Sequence, residues 1–295
     1  MRVVFILAEY SLHNRIVSDY LAARPQDHVA LVKVPLVLKG KGRVDTAQRI
    51  VPQLSRRFLA GKLLEFAVLL AITLTPKLMR GGAVFRRLRW IARRQGLPFL
   101  RTANVMSAEA LEFIRAQEPD LVVTLFHQII KRKLIAIPGD GIVNIHPGLI
   151  PEFRGIQPYF WELSEGSPRA GATLHLIEDE KIDAGGVLAS TSYETSPGMS
   201  VQLNYYLTCQ AASHLLPRCL EAFHEGRLTP APQDPEAGDY WRWPDSEAFT
   251  RLRQRGHRLF SWGQLWGILS GRYDDFTAEE LLAGDPAPPG PAGPG

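Results

Sequence analysis

The chain has 295 residues, 45% of them hydrophobic and 22% charged, which excludes an intrinsically disordered protein and allows a sizeable core. Its two cysteines exclude a disulfide framework, so burial must stabilise the fold. The apolar opening, residues 1–8, is followed directly by Glu9 and is too short for a signal peptide. We therefore expect a reduced, cytoplasmic protein.

The formal net charge of +4 is unevenly distributed along the chain. Residues 1–101 carry 19 Lys and Arg against five acidic residues, a formal charge of +14, and the remainder carries −10. Residues 77–101 contain eight basic side chains and no acidic one. Such a segment attracts nucleic acid, anionic lipid or a phosphorylated substrate, or it is simply a solvated helix face. The sequence leaves these alternatives open.

Residues 2–145 alternate between strand-like and helix-like patterns. Apolar runs predict strands and amphipathic segments predict helices. In chain order these are a strand at 2–8, a helix at 12–23, a strand at 29–34, an extended segment at 98–100, a helix from Ser107 to about Gln117, a strand at 119–126, a short helix at 131–136 and a strand at 141–145. This alternation predicts a doubly wound, mostly parallel α/β sheet with its active site at the carboxyl ends of the strands.

A helical insertion is predicted at about 45–96, between the second strand and the next extended segment. Its run 63–74 is apolar nearly all round but too short to span a bilayer. The domain itself, a second copy of the chain in a homodimer, or a peripheral membrane contact could bury this run.

The last third of the chain departs from the alternating pattern. Residues 170–177 and 187–193 predict a mixed or antiparallel sheet edge, and 199–224 predict one long helix. We expect a small C-terminal core formed by Trp241, Trp243, Phe249, Phe260, Trp262 and Trp266. The predicted organisation is a catalytic domain over 1–194, a small, mainly helical C-terminal region over 195–284 and a disordered tail over 285–295.

The most informative stretch runs from Asn144 to Gly155, with the sequence NIHPGLIPEFRG. Strand alternation puts Asn144 and His146 on the same side, where the chain leaves the sheet. Asp183 follows in a Gly-flanked turn between two predicted strands. An amide, an imidazole and a carboxylate can stabilise an oxyanion and move protons. An isolated Asn-x-His pattern would more often contain a structural histidine.

The surrounding residues resemble the folate-dependent formyltransferases, which include glycinamide ribonucleotide transformylase, methionyl-tRNA formyltransferase and the sugar N-formyltransferases. The shared positions are Asn144, His146, Pro147, Leu149, Pro151, Phe153, Arg154, Gly155, Pro158, Trp161, Gly171, Thr173, His175, Asp183 and Gly185. The agreement is dense over about 120–190 and loose before it. Three positions depart from the family pattern: Gly148, where Ser is usual, Gly186, where Pro or Asp is usual, and His127, where Gly is common.

The resemblance implies an N-formyltransferase that uses 10-formyltetrahydrofolate and no metal, with Asn144, His146 and Asp183 as catalytic residues. It implies that two segments enclose the pterin ring, comprising Phe126, His127, Gln128, Ile129 and Ile130, and Glu180, Lys181 and Ile182. Ile129 and Ile130 are equally compatible with plain core positions. The implied substrate-binding residues are Tyr10, Arg154, Gly155 and His175. Arg154 could instead hold its own loop, and His175 could simply pack.

The identity of the amine acceptor is less strongly indicated. Residues 9–14 lack the Gly-rich phosphate loop of the glycinamide ribonucleotide enzymes, and 195–285 read mostly helical where the methionyl-tRNA enzymes have a β-barrel. We expect a small-molecule amine, most plausibly an amino sugar linked to a nucleotide or lipid phosphate, and no nucleic acid. The alternatives are a tRNA-binding formyltransferase, a hydrolase of the folate donor and a non-catalytic, membrane-associated member.

Overall fold

The computed structural model describes residues 1–8, 10, 12–35, 56, 59–61, 63–64, 67–68, 87–234 and 236–283. The predictions for the basic residues 77–86, for most of the apolar run 63–74 and for the tail 285–295 lie outside these residues.

One sheet of eight strands organises the molecule. Its strands are β1 (Arg2–Ala8), β2 (His28–Val34), β3 (Phe99–Arg101), β4 (Leu121–Leu125), β5 (Gly141–His146), β7 (Arg169–Leu176), β8 (Val187–Glu194) and β10 (Glu279–Leu282). The order across the sheet is β10-β8-β7-β5-β4-β1-β2-β3. Neighbouring strands from β3 to β5 run parallel, and β7, β8 and β10 form the antiparallel edge. The predicted α/β fold class, with a mostly parallel sheet, is confirmed.

Helices cover both faces of this sheet. They are α1 (His13–Ala23), α2 (Leu88–Gln95), α3 (Ala108–Ala116), α4 (Arg132–Ile135), α5 (Pro158–Glu165), α6 (Val201–His224), α7 (Ser246–Gln254) and α8 (Trp262–Leu269). As predicted, Ser107 caps α3, because its hydroxyl accepts a hydrogen bond from the Ala110 N–H at 3.2 Å. Apolar side chains of α1, α2 and α6 bury one sheet face, and those of α3 and α4 bury the other.

The amphipathic pattern of α2 explains part of the basic segment. Leu88, Ile91 and Ala92 are buried, whereas Arg87, Arg89, Arg93 and Arg94 are exposed. These four arginines therefore lie on a solvated surface next to β2 and β3 and are available to an incoming anion.

A second apolar core lies beside the antiparallel edge, between α5, α6, α7 and α8. Trp241 and Trp243 pack against it, and Phe249 is buried within it. The prediction was wrong for Trp262 and Trp266, whose side chains are 61% and 63% exposed. They occupy positions i and i+4 on the outer face of α8, while Leu265, Ile268 and Leu269 take the inner face.

Two short strands accompany the helices of the C-terminal region, which was predicted to be mainly helical. The first, β9 (Asp239–Trp241), pairs in parallel with β6 (Phe153–Gly155), and β10 closes the edge of the main sheet beside β8. Both strands have three or four residues, too few to show strand alternation in the sequence. Within the described part of the chain, no helix combines the length and hydropathy required to cross a bilayer. The division into domains at residue 194 stays a prediction.

Candidate active site

Five polar side chains converge at the carboxyl end of β5. Asn144 lies on β5 directly opposite His175 of β7 and beside Thr124 of β4. His146 is the last residue of β5, and Asp183 lies in the loop between β7 and β8. Three neighbouring strands and one loop therefore build the site, at the sheet edge where parallel α/β folds bind ligands.

A chain of hydrogen bonds fixes the Asn144 amide. The Thr124 hydroxyl lies 2.9 Å from Asn144 Oδ1, and Asn144 Nδ2 lies 3.0 Å from His175 Nε2. His175 Nδ1 is 2.9 Å from the Leu176 carbonyl, which can only accept, so Nδ1 carries the hydrogen and Nε2 accepts from the amide. One amide hydrogen is thereby held by His175. The other has no hydrogen-bond partner among the described residues and can donate to a ligand oxygen.

A hydrogen bond from its Nε2 fixes the orientation of the His146 ring. Its Nε2 donates to the Phe153 carbonyl at 2.7 Å, and its Nδ1 faces the Asp183 carboxylate at 3.6 Å. Burial opposes the charged imidazole, but the Asp183 carboxylate and the Phe153 carbonyl outweigh it and raise the pKa of His146 above its ordinary value. The nitrogen left for chemistry is therefore Nδ1.

Asp183 owes its position to an unusual backbone conformation. Its φ of 52° lies in the left-handed region, which Asp tolerates better than most residues. One carboxylate oxygen accepts from the Gly155 N–H at 2.9 Å and faces His146, while the other lies 3.5 Å from His175 Nε2. Burial alone would raise the pKa of Asp183, but the charge of the neighbouring His146 imidazolium and its hydrogen bond lower it well below its ordinary value. Asp183 is thus ionised.

The loop after β5 is anchored from below. The Thr173 hydroxyl donates to the Gly148 carbonyl at 2.9 Å and accepts from the Ile150 N–H at 3.1 Å. The Glu162 carboxyl, fully buried, accepts from the N–H groups of Leu149 and Gly171 at 3.2 Å. These bonds hold the segment that carries the Phe153 carbonyl and the Gly155 N–H against the site.

Glycine at 148, one of the departures from the family pattern, has a steric cause. A Cβ atom there would lie 2.3 Å from Cβ of Pro158, the first residue of α5. A serine at this position would require the loop or the start of α5 to move.

The predicted folate-binding segments lie on two loops at the same sheet edge. Ile129 and Ile182 expose about half of their side chains, at 54% and 50%, whereas Ile130 packs into the core. The Gln128 side chain is engaged by the neighbouring loop, donating to the Ala103 carbonyl at 2.9 Å and accepting from the Val105 N–H at 3.2 Å. Phe126 is half-buried, and His127, Glu180 and Lys181 are exposed. Two exposed apolar side chains therefore border the site.

The four predicted substrate-binding residues have different surroundings. His175 and Gly155 lie in the polar network. Arg154 donates to the Asp234 carbonyl at 2.8 Å and is almost fully buried, so it holds the C-terminal segment against its loop. Tyr10, in the first βα loop, is half-buried, and its ring lies 5.4 Å from those of His13 and Tyr205.

Two residues that support the active site, Thr124 and Glu162, were not predicted from the sequence. Thr124 is the single hydroxyl in the apolar strand LVVTL, and a hydroxyl in a fully buried strand requires a partner. Glu162 is a carboxyl on the otherwise apolar first turns of α5. In both cases a polar side chain at a buried position was the available signal.

The resemblance seen in the sequence is confirmed by comparison with known proteins. Residues 77–220, a segment that contains Asn144, His146, His175 and Asp183, match the family model described as formyl transferase. A curated methionyl-tRNA formyltransferase from Trichlorobacter lovleyi is 32% identical over 174 residues, which are 58% of this chain and 52% of that protein. The chain spans about half the length of the curated relatives it matches first.

Two solved structures share the fold. Glycinamide ribonucleotide transformylase 1 from Symbiobacterium toebii matches with a TM-score of 0.53 and 18% identity, over 79% of this chain and 94% of that one. WlaRD, a sugar 3N-formyl transferase solved in the presence of dTdp and 5-N-formyl-THF, matches with a TM-score of 0.51 and 14% identity, over 82% of this chain and 69% of that one.

Proposed function

We propose that this protein is an N-formyltransferase that moves a formyl group from 10-formyltetrahydrofolate to a primary amine of a small metabolite. The observation that carries the proposal is the convergence of the free Asn144 amide hydrogen, His146 Nδ1 and the Asp183 carboxylate. The family match over 77–220 supports formyl transfer as the reaction class.

Asn144 and His146 would stabilise the charge that develops on the formyl oxygen. As an amine attacks the formyl carbon, negative charge builds on that oxygen, which fixed hydrogen-bond donors stabilise. The Asn144 amide is oriented before the reaction by Thr124 and His175, so little reorganisation is needed. The raised pKa of His146 favours the protonated ring, in which Nδ1 is able to donate.

Asp183 would hold the proton on His146 and accept protons through water. Its carboxylate is ionised and directed at both imidazoles, and the Gly155 N–H prevents it from turning away. The attacking amine must lose a proton and the departing nitrogen must gain one. A carboxylate beside an imidazolium can relay that proton from one side of the site to the other.

The residues present fit the folate donor, which would supply the formyl group. A flat heterocycle buries its faces against apolar side chains and its edges against backbone groups. Ile182 stands next to Asp183, and Ile129 lies on the loop that follows Thr124 and β4; both are about half exposed. A sugar formyltransferase of the same fold was solved with 5-N-formyl-THF, which supports the assignment of the donor.

The acceptor we propose is an amino sugar or related small amine on a nucleotide or lipid phosphate. Arg87, directly before α2, and Arg89, within it, are exposed and could attract a phosphorylated substrate. Residues 201–282 form α6, α7 and α8 with two short strands, and Arg154 ties this region to the loop of the active site. The C-terminal region therefore supports the site itself.

The second candidate is formylation of a charged tRNA, which is favoured by the curated methionyl-tRNA formyltransferases that the chain matches. The two candidates differ in salt dependence, because each phosphate contact releases counterions and tRNA binding weakens steeply with salt. Competition between a charged initiator tRNA and a panel of nucleotide-linked amino sugars, in the presence of the folate donor, separates them. Faster formylation of the tRNA would overturn our choice of acceptor.

A further inference from the structure

The active-site cluster has a second chemical property that formyl transfer does not use. One ligand atom each of His146, His175 and Asp183 can be chosen so that all three lie within 4.8 Å of one another. Asp183 faces His146 Nδ1 at 3.6 Å and His175 Nε2 at 3.5 Å. Ligand atoms around a tetrahedral zinc ion are separated by about 3.3 Å, given bond lengths of 2.0–2.2 Å. The two His–Asp separations, each to a different carboxylate oxygen of Asp183, are within a few tenths of an ångström of this value.

Both imidazoles are also oriented as metal-binding histidines are. A metal-ligating histidine almost always donates its second ring N–H to a backbone carbonyl or a carboxylate, which fixes the ring and its tautomer. Here His146 Nε2 donates to the Phe153 carbonyl at 2.7 Å, and His175 Nδ1 donates to the Leu176 carbonyl at 2.9 Å. In the neutral rings the remaining lone pairs, on His146 Nδ1 and His175 Nε2, face the Asp183 carboxylate.

We propose that His146, His175 and Asp183 bind a divalent transition-metal ion of the zinc type. Two imidazole nitrogens and one carboxylate oxygen suit Zn²⁺, Co²⁺ or Ni²⁺, whereas Mg²⁺ and Ca²⁺ prefer oxygen ligands alone. The side chains of His146 and His175 are 3% and 2% exposed and that of Asp183 is 11% exposed, so all three ligands are shielded from solvent.

Metal binding and the proposed formyl transfer exclude each other; this consequence rests on the proposed function. The ion would take the lone pair of His175 Nε2 that accepts from Asn144 Nδ2, and would thereby release the amide from its fixed orientation. It would also occupy His146 Nδ1, the nitrogen assigned to the reaction. The ion therefore acts as an inhibitor, and it is not a cofactor of the transferase.

Titration of the chelator-treated full chain with Zn²⁺ in a calorimeter tests the proposal, together with the visible absorption of bound Co²⁺. We expect one ion per chain. His175→Ala and Asp183→Asn should each weaken binding at least ~100-fold and abolish the Co²⁺ bands, because each removes a ligand from a three-ligand site. Circular dichroism establishes that both variants are folded.

His224→Ala is the matched control. His224 Nδ1 lies 2.5 Å from Asp140 on the protein surface, a histidine–carboxylate pair outside the cluster. Binding should be unchanged in this variant. Wild-type protein that binds no Zn²⁺ saturably, or a His175→Ala variant that binds as tightly as the wild type, would overturn the proposal. The titration needs neither donor nor acceptor, so its outcome is independent of whether formyl transfer is found.

Discussion

Replacement of Asp183 by Asn removes the charge that keeps His146 protonated and changes little else in shape. At 3.6 Å the attraction between an imidazolium and a carboxylate is ~4 kcal/mol at the effective dielectric constant of protein sites. Asp183 is 11% exposed, so water screens the pair only weakly. If most of this energy serves the transition state, kcat falls by about 10²–10³-fold, since each 1.36 kcal/mol is a factor of ten.

The pH dependence gives a sharper test than the rate alone. The acceptor amine must be neutral, so the wild-type rate rises with pH until it falls again as His146 loses its proton. In Asp183→Asn the burial of His146 is no longer opposed by the carboxylate, so the pKa of His146 drops and the falling limb moves to lower pH. Folate binding, measured by fluorescence titration, should be nearly unchanged.

Stability provides an independent readout of the same pair. His146 has a raised pKa, so its contribution is present below about pH 6.5 and is lost as pH rises through the folded-state value. Asp183 has a lowered pKa, so its contribution is present above about pH 4 and is lost on further acidification. The wild type should therefore exceed Asp183→Asn most in unfolding free energy between about pH 4 and 6.5. Equal stability across this window, with an unaltered pH–rate profile, would refute the assigned role.

Three further substitutions test the surroundings of the site. Thr124→Val should lower kcat about 5- to 30-fold, because loss of the hydrogen bond that orients the Asn144 amide costs ~1–2 kcal/mol. The control is Thr191→Val, at a buried hydroxyl that lacks a hydrogen-bond partner in the described residues, and it should leave kcat unchanged. Gly148→Ser should destabilise the fold by ~1–3 kcal/mol in thermal denaturation, because the new Cβ would clash with Pro158. Gly139→Ser, where nothing lies within 4 Å of the new Cβ, should not destabilise it. Equal melting temperatures of the two variants would show that the loop adapts. Reversing Arg87 and Arg89 to Glu should raise the KM of a phosphorylated acceptor several-fold at low salt and leave folate affinity unchanged, and a KM that does not move would mean that these arginines are only a solvated face.

The strands of the parallel half of the sheet could be predicted from the sequence because both faces of these strands are buried. Runs such as LVVTL in β4 are then almost entirely apolar, and this pattern can be recognised without knowledge of the neighbouring strands. The Asn144 and His146 positions followed from alternation on β5. His175 was already implied as a substrate-binding residue, but its place beside Asn144 depends on the antiparallel register of β5 with β7, which pairs the two across 31 residues.

Tertiary contacts decided what the sequence could not. Strands β6 and β9 are three residues long, and they pair where Gly155 lies against Trp241. This close approach needs glycine, because a Cβ on residue 155 would lie 2.3 Å from the Trp241 carbonyl oxygen. Trp262 and Trp266 are chemically the same as the core tryptophans. They are exposed because α8 packs with Leu265 and Ile268 facing the core, which places both tryptophans on the opposite face. The cytoplasmic location, the homodimer and the role of the helical insertion stay predictions.

A formyl-transfer assay is the most direct test of the proposed N-formyltransferase activity. The purified chain is mixed with 10-formyltetrahydrofolate and a panel of amines, including nucleotide-linked amino sugars and charged initiator tRNA, and each acceptor is examined by mass spectrometry for the gain of one formyl group. We expect the wild type to formylate a small amine, and His146→Ala to lose nearly all turnover while still binding the folate. Formylation at an undiminished rate by His146→Ala, or folate binding without transfer to any acceptor, would contradict this proposal.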